Sequence, residues 1–339
     1  MSRRRHLLRY IASRLALMPL MLWLIASLVF LLLRAAPGDP IDALLGIRAP
    51  VEARAALRQQ LGLDQPLLVQ YGRYLADLLR GDLGTSLTNN EAVTSVIRHS
   101  LPASLELGVV ALLLAAVVGL AVGFSGIARP EGKLDLGGRL YGIGTYALPP
   151  FWAAMVMQLV FAVWLGWLPV GGRFPATLVP PEGSGFYLFD SALAGNSQQF
   201  WGALRHLVLP ASTLGLLLSG VFANALRLNL RRALDSDYVE AARSRGLSER
   251  RVVLRHALPN ALLPVLTITG ITVASLIGGA LLIEVTYSWP GVAFRLQEAI
   301  SQRDYPVVQG IVVVVAALVV AVSVAVDLLV ALLDPRVSF

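Results

Sequence analysis

The sequence predicts an all-α membrane protein with six transmembrane helices and a small external helical cap. Three observations lead there. Of 339 residues, 56% are hydrophobic and only 14% charged, against roughly 25% charged in an average soluble domain. Six apolar stretches without Asp, Glu, Lys or Arg, at 15–33, 107–128, 140–172, 206–226, 256–283 and 305–326, each supply the roughly 20 residues a helix needs to cross a bilayer. With the N-terminus inside, 17 of the 28 basic residues fall in about 67 cytoplasmic positions and 11 in about 127 external ones, the bias that fixes orientation in a membrane. Both termini are then cytoplasmic.

Residues 1–33 read as a cytoplasmic tail and the first span. Arg3, Arg4, Arg5 and Arg9 ahead of an apolar run imitate a secretory signal. The run is longer than a signal core, and LRAAPGDP follows it instead of a cleavage site, so the expectation is a retained anchor. APGDP at 36–40 stops the helix. The external segment 34–102 shows helical periodicity at 51–61 and 66–79. In the second of these, Leu68, Tyr71, Tyr74, Leu75 and Leu78 share one face. GDLGTS at 81–86 reads as a turn.

Residues 103–333 hold the remaining five spans. The loop 129–139 joins the second and third inside. The stretch 140–172 is too long for one straight span, and Pro149 and Pro150 interrupt it, with Phe151 and Trp152 following. Trp164 and Trp167 suit the headgroup layer, and the external loop 168–205 is rich in Gly, Pro and aromatics. Gly270, Gly278 and Gly279 allow close packing of the fifth span. The valine-rich 311–326 would suggest a strand in water. In lipid only a helix satisfies its backbone internally. Residues 334–339 form a cytoplasmic tail.

Several function classes drop out. The chain has no cysteine, and His6, His99, His206 and His256 share no ligand spacing, so neither a metal nor another cofactor is expected. The one lysine, Lys133, precedes Leu134, which forbids a GxxxxGK[ST] phosphate loop. Basic charge serves topology, and no nucleic-acid partner is implied. A secondary transporter or channel would need ionisable groups within the bundle. Asp327 is the deepest, and Glu106 and Glu284 sit at span ends. A membrane enzyme would need a base beside Ser212, Ser219, Ser275 or Ser323, and no histidine lies deep enough.

The stretch 237–264 stands apart, with five arginines, three acids and a histidine between oily spans. Asp237 reads as an N-cap with Glu240 three residues on. Gly246 reads as a left-handed stop. Ser248 then caps a second helix whose apolar stripe is Val253, Leu254, Ala257 and Leu258, and Pro259 closes it. An amphipathic helix pair held along the cytoplasmic side suits docking to another protein.

Glu240, Ala241 and Ala242, then Gly246, then Leu258 and Pro259 resemble the EAA motif of ABC-importer permeases. The chain also resembles the first-subunit branch of the dipeptide/oligopeptide/nickel permease family. The matching stretches are PGDP at 37–40, LGLDQP at 61–66, GDLGTS at 81–86, ARSRGLSERRV at 242–252, HALPNALLP at 256–264, SWPG at 288–291 and RDYPVVQG at 303–310. His256 and Ala293 depart from its usual pattern. The resemblance implies a type I importer fold, with a second homologous permease beside this one, two cytoplasmic ATPases beneath and an external binding protein. ATP hydrolysis would lie in the partners, leaving this chain without enzymatic activity. The segment 227–260 would carry the coupling loop, with Asp237, Glu240, Ala241, Ala242, Gly246, Leu258 and Pro259 as its residues. Pro149, Pro150, Phe151, Trp152, Ser288, Trp289, Pro290 and Gly291 are candidate gate, pathway or external contacts. Members of the family handle dipeptides, oligopeptides, nickel complexes or glutathione, and a small peptide is the expected cargo here.

Overall fold

The computed structural model describes residues 3–36, 38–46, 49–127 and 132–333. Pro37 of the PGDP stretch, Arg129 and the tail 334–339 lie outside the described residues, as do the side chains of Ser275 and Asp327 and the surroundings of Gly278 and Gly279.

Helices follow one another in the order α1 (Arg3–Ala35), α2 (Pro40–Leu45), α3 (Val51–Gln60), α4 (Leu67–Leu79), α5 (Val93–Ser125), α6 (Lys133–Ala147), α7 (Pro150–Met157), α8 (Tyr187–Leu193), α9 (Ser197–Leu234), α10 (Asp237–Ser244), α11 (Glu249–Arg251), α12 (Leu258–Thr286), α13 (Val292–Gln302) and α14 (Tyr305–Leu333). π-helical turns extend α7 over Gln158–Trp164 and join α11 to α12 over Val252–Ala257. Among the described residues, five helices are long and apolar enough to cross a membrane. α6 and α7, bent by 104° at Leu148 and Pro149, make a sixth if taken as one broken span. Pro149 and Pro150 therefore break the long third stretch, as expected from their missing N–H groups. The expected loop 129–139 is shorter than the sequence suggested, because α6 starts at Lys133 and takes in Asp135 and Arg139. An acid in the first turn favours that start.

α9 is the central pillar. α5 packs alongside it in parallel, with Gly119 facing Ser219 and Phe222, and Gly123 facing Ala223. A Cβ at Gly119 would meet the Ser219 carbonyl, so the two glycines let the backbones approach closely. α12 runs antiparallel to both. Its start packs with Phe222, Leu226 and Leu230, and its end with Leu207, Leu209 and Leu107. One end of the bundle thus carries α10 and Asp135, and the other α8, α13 and Trp289. At 33 residues, α5 is about 50 Å long and overshoots a hydrocarbon core of roughly 30 Å.

α1 stands at the edge against α14, with Leu24, Leu28, Leu31 and Leu32 exposed. α3 and α4 appear where periodicity placed them. Phe30 of α1 takes Tyr71 edge-on at 5.2 Å and stacks with Tyr74 at 5.5 Å, which ties α4 to the first span.

Candidate functional site: the coupling loop and its opposite end

α10 begins one residue earlier than its sequence suggests. Ser236 is the extended N-cap (φ −91°, ψ 151°), and its carbonyl accepts from Val239 N at 2.9 Å and Glu240 N at 3.2 Å. Its hydroxyl turns back to the Ala233 carbonyl and closes α9 instead. Asp237 is therefore the first helical residue, not the cap, and acts through its charge at the helix N-terminus.

Val239 and Ala242 are buried on α10 and join Leu230, Ala233, Val252 and Ala257 in one cluster. Asp237, Glu240 and Ala241 face outward. The helix ends in a Schellman motif: Gly246 N donates to Arg243 O at 2.9 Å and Leu247 N to Ala242 O at 3.4 Å. Gly246 takes φ +73°, as its role requires. Arg243 Nε donates to Glu249 Oε1 at 2.6 Å and bridges the turn, and that hydrogen bond raises the pKa of the guanidinium. The bridge is a local contact that motif reading passed over.

Beyond Gly246 the expectation needs correcting. The Ser248 side chain does not cap; its carbonyl accepts from Arg251 and Val252 N. The buried pair is Val252 and Ala257, five residues apart, while Leu254 is exposed and Val253 half-buried. A π turn carries the i to i+5 spacing, with Leu258 N donating to Val253 O. Pro259 does not close the segment. It stands in the first turn of α12, where a missing N–H is tolerated. The loop therefore feeds directly into a long apolar helix, so α10, the Gly246 turn and α12 form one connected segment.

Beside this segment, Asp135 of α6 is 1% exposed and meets three arginines. Arg231 Nη2 lies at 2.8 Å, Arg139 Nη2 at 3.2 Å and Arg227 Nε at 3.5 Å. This cluster ties α6 to the last turns of α9, directly before α10. Sequence reading missed it because the acid and two of its partners lie on different helices.

At the other end, SWPG folds around Glu284. This residue is 0% exposed; it accepts from Ser104 Oγ at 2.5 Å and from Phe294 N at 2.9 Å. Ser104 Oγ in turn accepts from Val292 N at 2.8 Å. The α13 N-terminus is thus capped by side chains of α5 and α12. A Cβ at Gly291 would collide with that carboxylate. Trp289 is buried and donates Nε1–H to Ala103 O at 3.0 Å; Ser288 is exposed at φ +48°, and Pro290 half-buried. Pro149 through Trp152 do not join this group. α7 reaches α12 through Ala154, whose carbonyl accepts from Tyr287 Oη at 3.2 Å. Phe151 and Trp152 face outward.

Three further contacts fix the same end. Asp304, 1% exposed, caps α14 and accepts from Ser86 Oγ at 2.5 Å and Thr88 Oγ1 at 3.0 Å, so GDLGTS and RDYPVVQG are neighbours in space. Glu106 accepts from Arg173 Nη2 and Leu188 N, both at 2.8 Å, pinning the loop 168–205 to α5. Asp190 holds the same loop's 183–185 turn through Ser184 and Gly185.

The family model described as "Binding-protein-dependent transport system inner membrane component" matches residues 111–339, and its N-terminal counterpart matches 7–108. The chain belongs to that family. It is a multi-pass inner-membrane permease subunit of an ABC transport system. The Di/tripeptide transport system permease protein of Pseudomonas aeruginosa (strain UCBPP-PA14) is 40% identical over 332 residues, 98% of this chain and 99% of the relative. The probable D,D-dipeptide permease of Escherichia coli (strain K12) is 40% identical over 315 residues, 93% of each. The Dipeptide transport system permease protein of Alkalihalophilus pseudofirmus is 36% identical over 333 residues, 98% of this chain and all of the relative. A crystal structure of an amino acid ABC transporter with histidines matches at TM-score 0.47 and 16% identity, over 72% of this chain and 95% of that chain.

Proposed function

We propose that this permease forms half of the pathway for small peptides in an ATP-driven importer and receives force through α10 and the Gly246 turn. A second homologous permease completes the pathway, two ATPases dock on the cytoplasmic side, and a binding protein delivers the cargo outside. The peptide cargo is supported by relatives named for di/tripeptide, dipeptide and D,D-dipeptide transport. Both termini and α10 are cytoplasmic in this reading, and 34–102 is external.

The observation that carries the coupling role is the build of α10. One face, Val239 and Ala242, is locked into the bundle, while Asp237, Glu240 and Ala241 are presented outward. A push on that outer face is delivered to α9 and α12 as a rigid-body shift. The test uses the conformation of Gly246. Among the described residues no atom beyond its chain neighbours stands within 4 Å of a Cβ built there, so φ is the constraint. Gly246→Val, β-branched at positive φ, strains the turn. Gly246→Asn tolerates the left-handed region. In vesicles holding the full transporter at matched abundance, valine should cut uptake and substrate-stimulated ATP hydrolysis together, and asparagine should largely preserve both. Normal transport by the valine variant would refute the coupling role.

A further inference from the structure

α6 brings no buried apolar side chain to its partner α9. Its buried residues are Asp135, Gly138 and Gly142, and among the described residues none of its side chains enters a hydrophobic cluster. Its apolar side chains, Leu134, Leu136, Leu140, Ile143 and Tyr146, are exposed instead. Between helices in lipid there is no hydrophobic drive, so close packing and polar bonds have to hold such a helix.

Asp135, Gly138, Gly142 and Thr145 recur at steps of three and four and so share one face. They meet Arg231, Arg227, Asn224 and Gly220 of α9 in descending order, which makes an antiparallel seam. At one end the Asp135 carboxylate supplies the counter-charge that lets Arg227, 7% exposed, be buried. A Cβ at Gly138 would collide with the Arg227 guanidinium, and one at Gly142 would stand 2.6 Å from Asn224 Oδ1. Tyr141 Oη and Ser219 Oγ share a hydrogen bond of 2.6 Å. At the far end Thr145 fills the space that a Cβ at Gly220 would need. The seam therefore fits in one register only.

Past the 104° bend at Leu148 and Pro149 the attachment changes in kind. α7 and its π turn put Ala154, Met157 and Phe161 into the hydrophobic core with Leu207 and Leu209. One half of the third span is thus anchored by apolar burial and the other latched by polar contacts. The latched half is fixed to the last turns of α9, which lead straight into α10. We propose that Asp135 is a positioning residue for energy coupling. It latches α6 to the stem of α10, so a push on α10 carries α6 as one body while α7 stays with the core. This inference rests on the coupling role of α10. With the latch open, ATP hydrolysis continues but α6 lags, and less cargo passes per ATP.

The test measures uptake of a labelled dipeptide and ATP hydrolysis in the same vesicles, which hold the full transporter and its binding protein. Asp135→Asn should raise the ATP consumed per dipeptide about fivefold or more, the lower end of coupling between distant sites. Asp135→Glu should restore most of the ratio. Tyr141→Phe removes a seam bond, leaves the ion cluster intact and should shift the ratio the same way; it also serves where Asp135→Asn fails to assemble. Asn224 Cγ lies 3.0 Å from a Cβ built at Gly142, so Gly142→Cys with Asn224→Cys can be joined by oxidation. In the Asp135→Asn background the oxidised pair should return the ratio towards wild type, and the reduced pair should not. Gly246→Val, which lowers uptake and hydrolysis together, reports on α10 separately. The proposal is overturned if Asp135→Asn and Tyr141→Phe lower uptake and hydrolysis in equal proportion, as loss of fold alone would. It is also overturned if closing the disulfide leaves the Asp135→Asn ratio unchanged.

Discussion

Glu284 caps a helix it does not belong to, and at the residue scale that makes it a sharp test. Its carboxylate, with the Ser104 hydroxyl, engages the first amides of α13. Glu284→Ala leaves buried donors unmet and should destabilise by about 1–3 kcal/mol, read as a lower midpoint of thermal unfolding in detergent. Glu284→Gln keeps one acceptor and should cost less. Gly291→Ala should also destabilise, since its Cβ enters the space of the carboxylate. The string SWPG was visible in the sequence, but its physical reason was not, because Ser104 lies 180 residues before Glu284. The same holds for Asp304, whose partner Ser86 is 218 residues away. Local rules also misjudged α10, since Ser236 and Asp237 are both good caps. The Ser236 hydroxyl closes α9 while its backbone starts α10, a double use that residue-by-residue rules do not encode.

At the scale of elements, the loop around α8 has a defined pH response. Burial works to raise the Asp190 carboxyl, but the Ser184 hydroxyl, the amides of Ser184 and Gly185 and the charge of Arg173 together hold it below its ordinary value. A depressed folded-state pKa contributes stability that is full above the unfolded value and lost as pH falls through the folded one. Pepsin nicking at 183–190 should therefore increase only below about pH 4. Asp190→Asn should be nicked readily with little further pH dependence; a wild-type loop that opens already near pH 6 would contradict this. The α3 and α4 helices were legible because a single face repeats every three or four residues. The stretch after Gly246 was less so: a π turn breaks that period, and Leu254 looked buried while Val252 was the residue inside.

At the scale of the whole molecule, six apolar stretches sufficed to anticipate, among the described residues, five helices long and apolar enough to cross a membrane and one bent pair, because length and the absence of charge are set by the bilayer. Order and contact among them depend on small residues such as Gly119 and on buried ion pairs such as Asp135 with Arg231, which appear only when helices meet. The proposed orientation rests on the distribution of basic residues and gives a direct expectation. Since the chain has no cysteine, single cysteines report cleanly. Leu68→Cys, on the exposed face of α4, should react with an impermeant reagent in intact cells, and Arg250→Cys should react only after the membrane is opened. The reverse pattern would invert the topology.

The claim that α10 is the surface on which the motor pushes has its most direct test in cross-linking. Cysteines are placed singly at Ala241 and Arg245, which face outward, and at Val239 and Ala242, which are buried. A short bifunctional reagent is applied to inside-out vesicles containing the full transporter. The account predicts cross-links to an ATPase subunit from Ala241→Cys and Arg245→Cys, and none from Val239→Cys or Ala242→Cys. Absence of any cross-link from the outer face of α10, in vesicles that hydrolyse ATP on substrate addition, would contradict it.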